Sequence, residues 1–178
     1  MKLAALLLAL ILPVAAEAGA PPLDNLFSQL KAAGSPEEAK PIEAQILGFF
    51  LNSGSPTVDL LMTRAAAALS AGDKAVARKL YDSVTEIAPA YAEGWHRRGV
   101  MQSDAGEDGA AMVSLQKTVQ LNPRQFEALE QLGEMLEDYG DKAGALKMFR
   151  RAIALDPQFE GLQHHIDGLS RDVEGQGI

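Results

Sequence analysis

From residue 58 to residue 159 the apolar positions recur every three or four residues and stop at regular intervals. In residues 126–139, Leu129, Leu132, Gly133 and Leu136 fall at i, i+3, i+4 and i+7, which is one face of a helix. Ala145, Phe149, Ala152 and Ile153 repeat that spacing a little further on. Between the two runs stands Gly140-Asp141. A glycine suits the left-handed position just past a helix end, and a carboxylate beside it favours the start of the next helix. Pro157 then closes the segment, because proline cannot continue a helix. The pattern predicts helix, tight turn, helix, stop.

The same order stands 34 residues earlier as Gly106-Glu107, Ala111, Leu115 and Pro123, and 34 earlier again as Gly72-Asp73, Ala77, Tyr81 and Pro89. A fixed period of this size predicts stacked helical hairpins at 58–91, 92–125 and 126–159. Ala65, Gly99 and Gly133 fall in one column of the first helices, and Ala77, Ala111 and Ala145 in one column of the second. Small side chains there let two antiparallel helices approach. Leu61, Trp95 and Leu129, with Tyr81, Leu115 and Phe149, fill the space beside them.

These residues resemble the tetratricopeptide repeat, whose signature spaces W-x₂-L-G-x₂-Y, A-x₃-F and P over 34 residues. The third unit carries it as Leu129, Leu132, Gly133, Leu136, Ala145, Phe149 and Pro157; the second carries Trp95, Gly99, Ala111, Leu115 and Pro123. The first carries Leu61, Ala65, Ala77, Tyr81 and Pro89. Arg64 and Arg98 depart from a leucine column and Gln102 from an aromatic one; we read the two arginines as edge positions with buried stems and wet heads. The resemblance implies an all-α, right-handed α-solenoid of antiparallel helix pairs. A degenerate N-terminal helix pair within 19–57 and a capping helix within 160–178 flank the units, since a solenoid needs closed ends. The expected total is nine helices and no sheet, with Gly175 and Gly177 fraying the tail.

The first twenty residues differ in character. Lys2 precedes an unbroken apolar run at 3–12, and Ala16-Glu17-Ala18 supplies the small residues that a signal peptidase reads. The run is too short for a membrane span of about 20 residues. A leader cleaved after residue 18 and a periplasmic location are expected, with no stable membrane insertion afterwards.

Composition narrows the function further. A formal net charge of -8 argues against binding a nucleic-acid backbone. The chain holds no cysteine, which removes disulfides, zinc-thiolate sites, thioether-linked haem and a cysteine nucleophile. Of the three histidines, His164 and His165 are sequence neighbours that point apart on a helix, so they form no chelating pair. No nucleophile elbow or phosphate loop is present. Neither catalysis nor a metal or cofactor is expected.

The resemblance also implies a concave groove lined by the first helix of each hairpin, where protein or peptide segments lie. Carried over by position, that groove presents Asp59, Met62, Thr63 and Ala66, then Glu93, His96, Arg97 and Val100, then Glu127, Glu130, Gln131 and Glu134. A Lys/Asn/Lys/Arg clamp for a C-terminal carboxylate, found in some members, is not matched. Residues 126–139 instead hold five acids and no base. This face is either simply solvated or an acidic half-groove for a basic or amphipathic partner segment. Three readings stay open at this level: an envelope scaffold or assembly factor, an accessory factor of cytochrome c or cell-wall assembly, and a self-associating structural oligomer.

Overall fold

The computed structural model describes residues 23–175. The expected leader at 1–18 lies outside the described residues, as does Gly177. Among the described residues there are nine α-helices and no strand. Three hairpins form the body: α3 (Pro56–Ser70) with α4 (Lys74–Ile87), α5 (Ala92–Asp104) with α6 (Asp108–Leu121), and α7 (Phe126–Asp138) with α8 (Lys142–Ile153). They are preceded by α1 (Leu23–Ala32) and α2 (Pro36–Phe50) and followed by α9 (Leu162–Glu174). None of these helices is long and apolar enough to cross a membrane.

The turns form for the reasons read from the sequence. Gly72, Gly106 and Gly140 adopt φ of 81°, 73° and 85°, a region closed to most side chains. Asp73 Oδ1 then accepts the Val76 N–H at 3.1 Å, and Asp141 Oδ1 the Gly144 N–H at 2.9 Å, capping α4 and α8. Glu107 stands at the equivalent place but makes no side-chain cap. One methylene longer, it turns back to the previous unit and accepts both arms of Arg78, at 2.7 and 2.6 Å. Each second helix stops short of its proline, at Ile87, Leu121 and Ile153.

The small columns set the packing distances. A Cβ added at Gly133 would run into the Phe149 ring, so α7 and α8 can touch only because no side chain is there. At Gly94 an added Cβ would come within 2.6 Å of Val84 on the preceding hairpin. Between hairpins the second helix of one unit meets the first of the next, α4 on α5, α6 on α7 and α8 on the capping helix α9. The largest core runs through the last two units and α9, with Leu115, Leu129, Leu132, Phe149, Ile166 and Leu169 all buried.

The N-terminal pair departs from the expected degenerate first unit. It does not extend the stack: α2 has no packing on α3 comparable to that of α4 on α5. Instead Leu26, Phe27, Leu30, Ala39 and Ile46 bury themselves against Phe126, Leu155 and Phe159 of the third unit. Arg124 joins the two parts, its guanidinium 3.8 Å above the Phe27 ring and 2.6 Å from Asp24 Oδ1. The reason is legible once the register is counted. Thirty-four residues before Ala65 and Ala77 stand Lys31 and Glu43, side chains too large and too polar for the close-approach columns. The pair therefore lies across the edge of the repeats, over the connections that precede α7 and α9. Among the described residues α3 keeps an open face, with Leu60 half exposed.

Candidate functional site

The first helices of the three hairpins hold all twelve residues expected to line the groove, but not all of them at the surface. Met62 belongs to the core of the first unit. Glu93 and His96 are 2% and 1% exposed. These three expectations are corrected here: none presents a side chain for a partner to touch. Asp59 is tied locally, its Oδ1 accepting the N–H of Ser53 at 2.9 Å and its hydroxyl at 2.6 Å. Those two bonds hold its carboxyl below the usual range. Thr63 donates to the Asp59 carbonyl at 2.9 Å, and Ala66 is exposed.

Glu93 and His96 are instead the centre of a buried polar network at the seam of the second and third units. His96 Nε2 lies 3.1 Å from Gln131 Oε1, and its Nδ1 lies 3.1 Å from Gln125 Nε2 and 3.3 Å from Glu93 Oε2. Gln125 Nε2 also donates to Glu93 Oε2 at 2.9 Å, while its Oε1 accepts the Glu127 N–H at 3.2 Å at the start of α7. Gln131 Oε1 can only accept, so His96 Nε2 carries a hydrogen. Arg97 Nε closes the set, donating to Glu93 Oε1 at 2.6 Å. Burial pushes the Glu93 carboxyl up, yet His96, Arg97 and Gln125 outweigh it and hold it below its ordinary value. Glu93 is thus an ionised anchor that fixes Arg97, whose guanidinium remains partly exposed above it.

Gln125 was not expected as part of any site, because a glutamine before a helix reads as a linker residue. Tyr91 is a second residue the sequence did not single out. Its hydroxyl is buried with no hydrogen-bond partner, and burial, with Glu93 and Asp59 adding to it, pushes that hydroxyl up.

The acidic face of α7 becomes a cavity. Glu130, Glu134, Glu137 and Asp138 line one side of a space of about 600 Å³; Glu160, Gly161, Leu162 and His165 line the other, with the buried Phe149 ring at its base. His165 is the sole base in that lining, and its Nε2 lies 2.6 Å from Glu137 Oε2 with its ring edge-on to Phe149. Burial raises the Glu130 carboxyl to about 7, with Glu134 and then Glu127 adding to the effect. Val100, Gln131 and Glu134 line a smaller neighbouring space of about 200 Å³. The contribution of α9 could not be read from the α7 sequence alone, since Glu160 and His165 arrive from the chain's far end. His164 and Asp167 form no pair; Asp167 accepts from Gln163 at 2.8 Å instead. Among the described residues no cluster of three or more metal-ligating side chains occurs.

Comparison with known proteins gives this architecture its relatives. The tetratricopeptide repeat family matches residues 126–159, the span of α7 and α8. Residues 126–159 are a tetratricopeptide repeat, and the chain has a tetratricopeptide-like fold. A TPR repeat-containing protein of Rhizobium etli is 34% identical over 94 residues, which is 53% of this chain and 46% of that relative. The chain therefore matches under half the length of that relative. Among solved structures, the first TPR of Spaghetti, bound to the HSP90 peptide SRMEEVD, superposes with a TM-score of 0.59 at 15% identity. It covers 66% of this chain and 93% of that one. The Yersinia enterocolitica type III secretion chaperone SycD, in complex with a peptide of the translocator YopD, gives a TM-score of 0.58 at 16% identity. It covers 70% of this chain and 97% of that one. At these identities the likeness is one of fold.

Proposed function

We propose that this protein is a protein-interaction module that receives a basic, amphipathic segment of a partner along the first helices of its repeats. The observation that carries the reading is the α7–α9 cavity, where five carboxylates and one histidine surround an apolar floor of Phe149 and Leu162. A lysine or arginine would neutralise the carboxylates while its stem covers the floor. Peptide binding by tetratricopeptide folds in the complexes with HSP90 and YopD peptides supports the general mode. The leader-like pattern at 1–18 supports placing the module in the periplasm, as a scaffold or assembly factor there. A second reading, self-association, is supported by the open face of α3 with Leu60 half exposed; light scattering on a dilution series separates it by a concentration-dependent mass.

The test is titration of a short Lys/Arg-bearing amphipathic peptide, read by anisotropy at low salt. Reversing Glu130 and Glu134 to lysine should weaken binding by at least roughly tenfold and leave helical content unchanged. Binding to the wild type should tighten as pH rises from about 5 through about 7, because a cation favours ionised Glu130, whose carboxyl is held near 7. Undiminished binding by the double reversal, with the same pH profile, would overturn this placement of the site.

A further inference from the structure

The N-terminal helix pair sits on the repeats through few polar contacts, and one of them is chemically unfinished. Asp156, in the connection between α8 and α9, is fully buried. Its Oδ1 accepts the Gln158 N–H at 3.0 Å, whereas its Oδ2 has no partner. A buried carboxylate oxygen left without a donor is costly. The group that faces it from α2 is Glu43, one turn from Ala39 and Ile46 of the buried seat beside Leu155, and each carboxyl perturbs the other. Two ionised carboxylates so placed repel; one proton between them makes a short charge-assisted O–H···O bond instead.

The surroundings decide which carboxyl keeps that proton. Burial raises Glu43 to about 7, Asp156 adds to the effect, and Glu127 reaching in from α7 adds a little more. Lys40, one turn earlier on α2, opposes them weakly. Asp156 is also raised, by burial, but the Gln158 N–H and Glu43 itself both favour its ionised form. The proton therefore belongs on Glu43, and Asp156 is the acceptor.

We infer that protonated Glu43 is a latch, which seats the N-terminal helix pair on the edge of the repeats by donating to Asp156 Oδ2 and releases the pair when the proton leaves. The remaining contacts are passive in this range. They are the Asp24–Arg124 ion pair at 2.6 Å, the Gln158 Nε2 bond to the Ala33 carbonyl at 3.0 Å, and the apolar seat on Phe126 and Phe159. Docking binds the proton more tightly than the free pair does. The latch is thus fully engaged below the ordinary glutamate value of 4.5 and is lost as pH rises through about 7. Release would uncover Phe126 and Phe159 beside Glu127, at the α7 end of the groove. The inference stands on how the pair is seated and not on what the groove binds.

Hydrogen exchange on the whole chain tests it, with α4 amides as the internal reference. Corrected for intrinsic exchange, protection of α1 and α2 relative to α4 should fall between pH 5 and pH 7 by up to roughly tenfold per unit, the limit for one linked proton. Glu43→Gln keeps a donor for Asp156 at every pH, so its protection should be flat and still present at pH 8. Wild-type protection without slope would overturn the latch. So would a Glu43→Gln variant that keeps the wild-type slope. Because Glu43 is only half buried, this variant carries little risk of failing to fold.

Discussion

The second and third hairpins have the same backbone plan and opposite chemistry. In the third, Leu136 and Met148 face the largest apolar core, and the α6–α7 seam is closed by Ala128, Leu132 and Met135. In the second, the positions matching Leu136 and Met148 hold Gln102 and Ser114, both buried and joined by a 2.6 Å hydrogen bond. Where the third unit has Leu132, the second has Arg98, whose guanidinium lies over the Trp95 ring and whose Nε stands 2.9 Å from Asp82 Oδ1 as an ion pair, without making a hydrogen bond. The frame evidently accepts polar side chains in apolar columns when the partner changes with them. A lone departure would leave an unsatisfied group, which is why the polar replacements come in pairs. The family match falls on the apolar unit for the same reason: its columns hold the residue types the repeat usually has.

The sharpest way to break this comparison is one substitution at two equivalent positions. An alanine Cβ at Gly133 would strike the Phe149 ring, while at Gly99 it would lie 3.2 Å from Leu115, tight but tolerable. Alanine is the better helix former by about 1 kcal/mol, which acts alike at both sites. Gly133→Ala should then cost about 1–3 kcal/mol through overpacking, and Gly99→Ala should come out near neutral. Denaturant midpoints measure both. Equal costs would mean that the third hairpin is no more tightly closed than the second.

Next in size is the polar pair of the second unit. Gln102→Leu alone strands the Ser114 hydroxyl in the core and should cost about 1–3 kcal/mol. Combining it with Ser114→Met copies the third unit and should recover most of the loss, giving a coupling of about 1 kcal/mol or more between the sites. A double-mutant cycle by urea unfolding supplies the number. Strict additivity would show that the two residues do not act as a pair.

This contrast also explains what could be read ahead of the structure. The turns, the small columns and the hairpin faces depend on residues a few positions apart, so the sequence displays them directly. The buried network does not show itself that way. Glu93 and His96 stand at helix positions that usually meet solvent, and what buries them is Gln125, from the end of their own unit, and Gln131, from the next. The seat of the N-terminal pair joins Asp24 to Arg124 and Ala33 to Gln158, across separations no local pattern reaches. The acidic face of α7 was visible as a run of glutamates. Its becoming a walled cavity required Glu160 and His165 from the far side of α8.

The smallest expected effect concerns the arginine that recurs in the leucine column. Arg98 and Asp82 are 31% and 38% exposed, so water already screens much of their attraction. What Arg98 buries is its stem, beside the Trp95 ring that its guanidinium overlies at 5.3 Å. Leucine, which the third unit carries in this column, would keep that apolar contact, and Asp82 would regain water at little cost. Arg98→Leu should therefore change stability by no more than about 0.5 kcal/mol. Arg98→Ala removes the stem as well and should cost measurably more. Thermal unfolding of the two variants side by side decides between stem and charge. If the leucine variant loses as much as the alanine one, the ion pair and not the packing holds the second unit against the first.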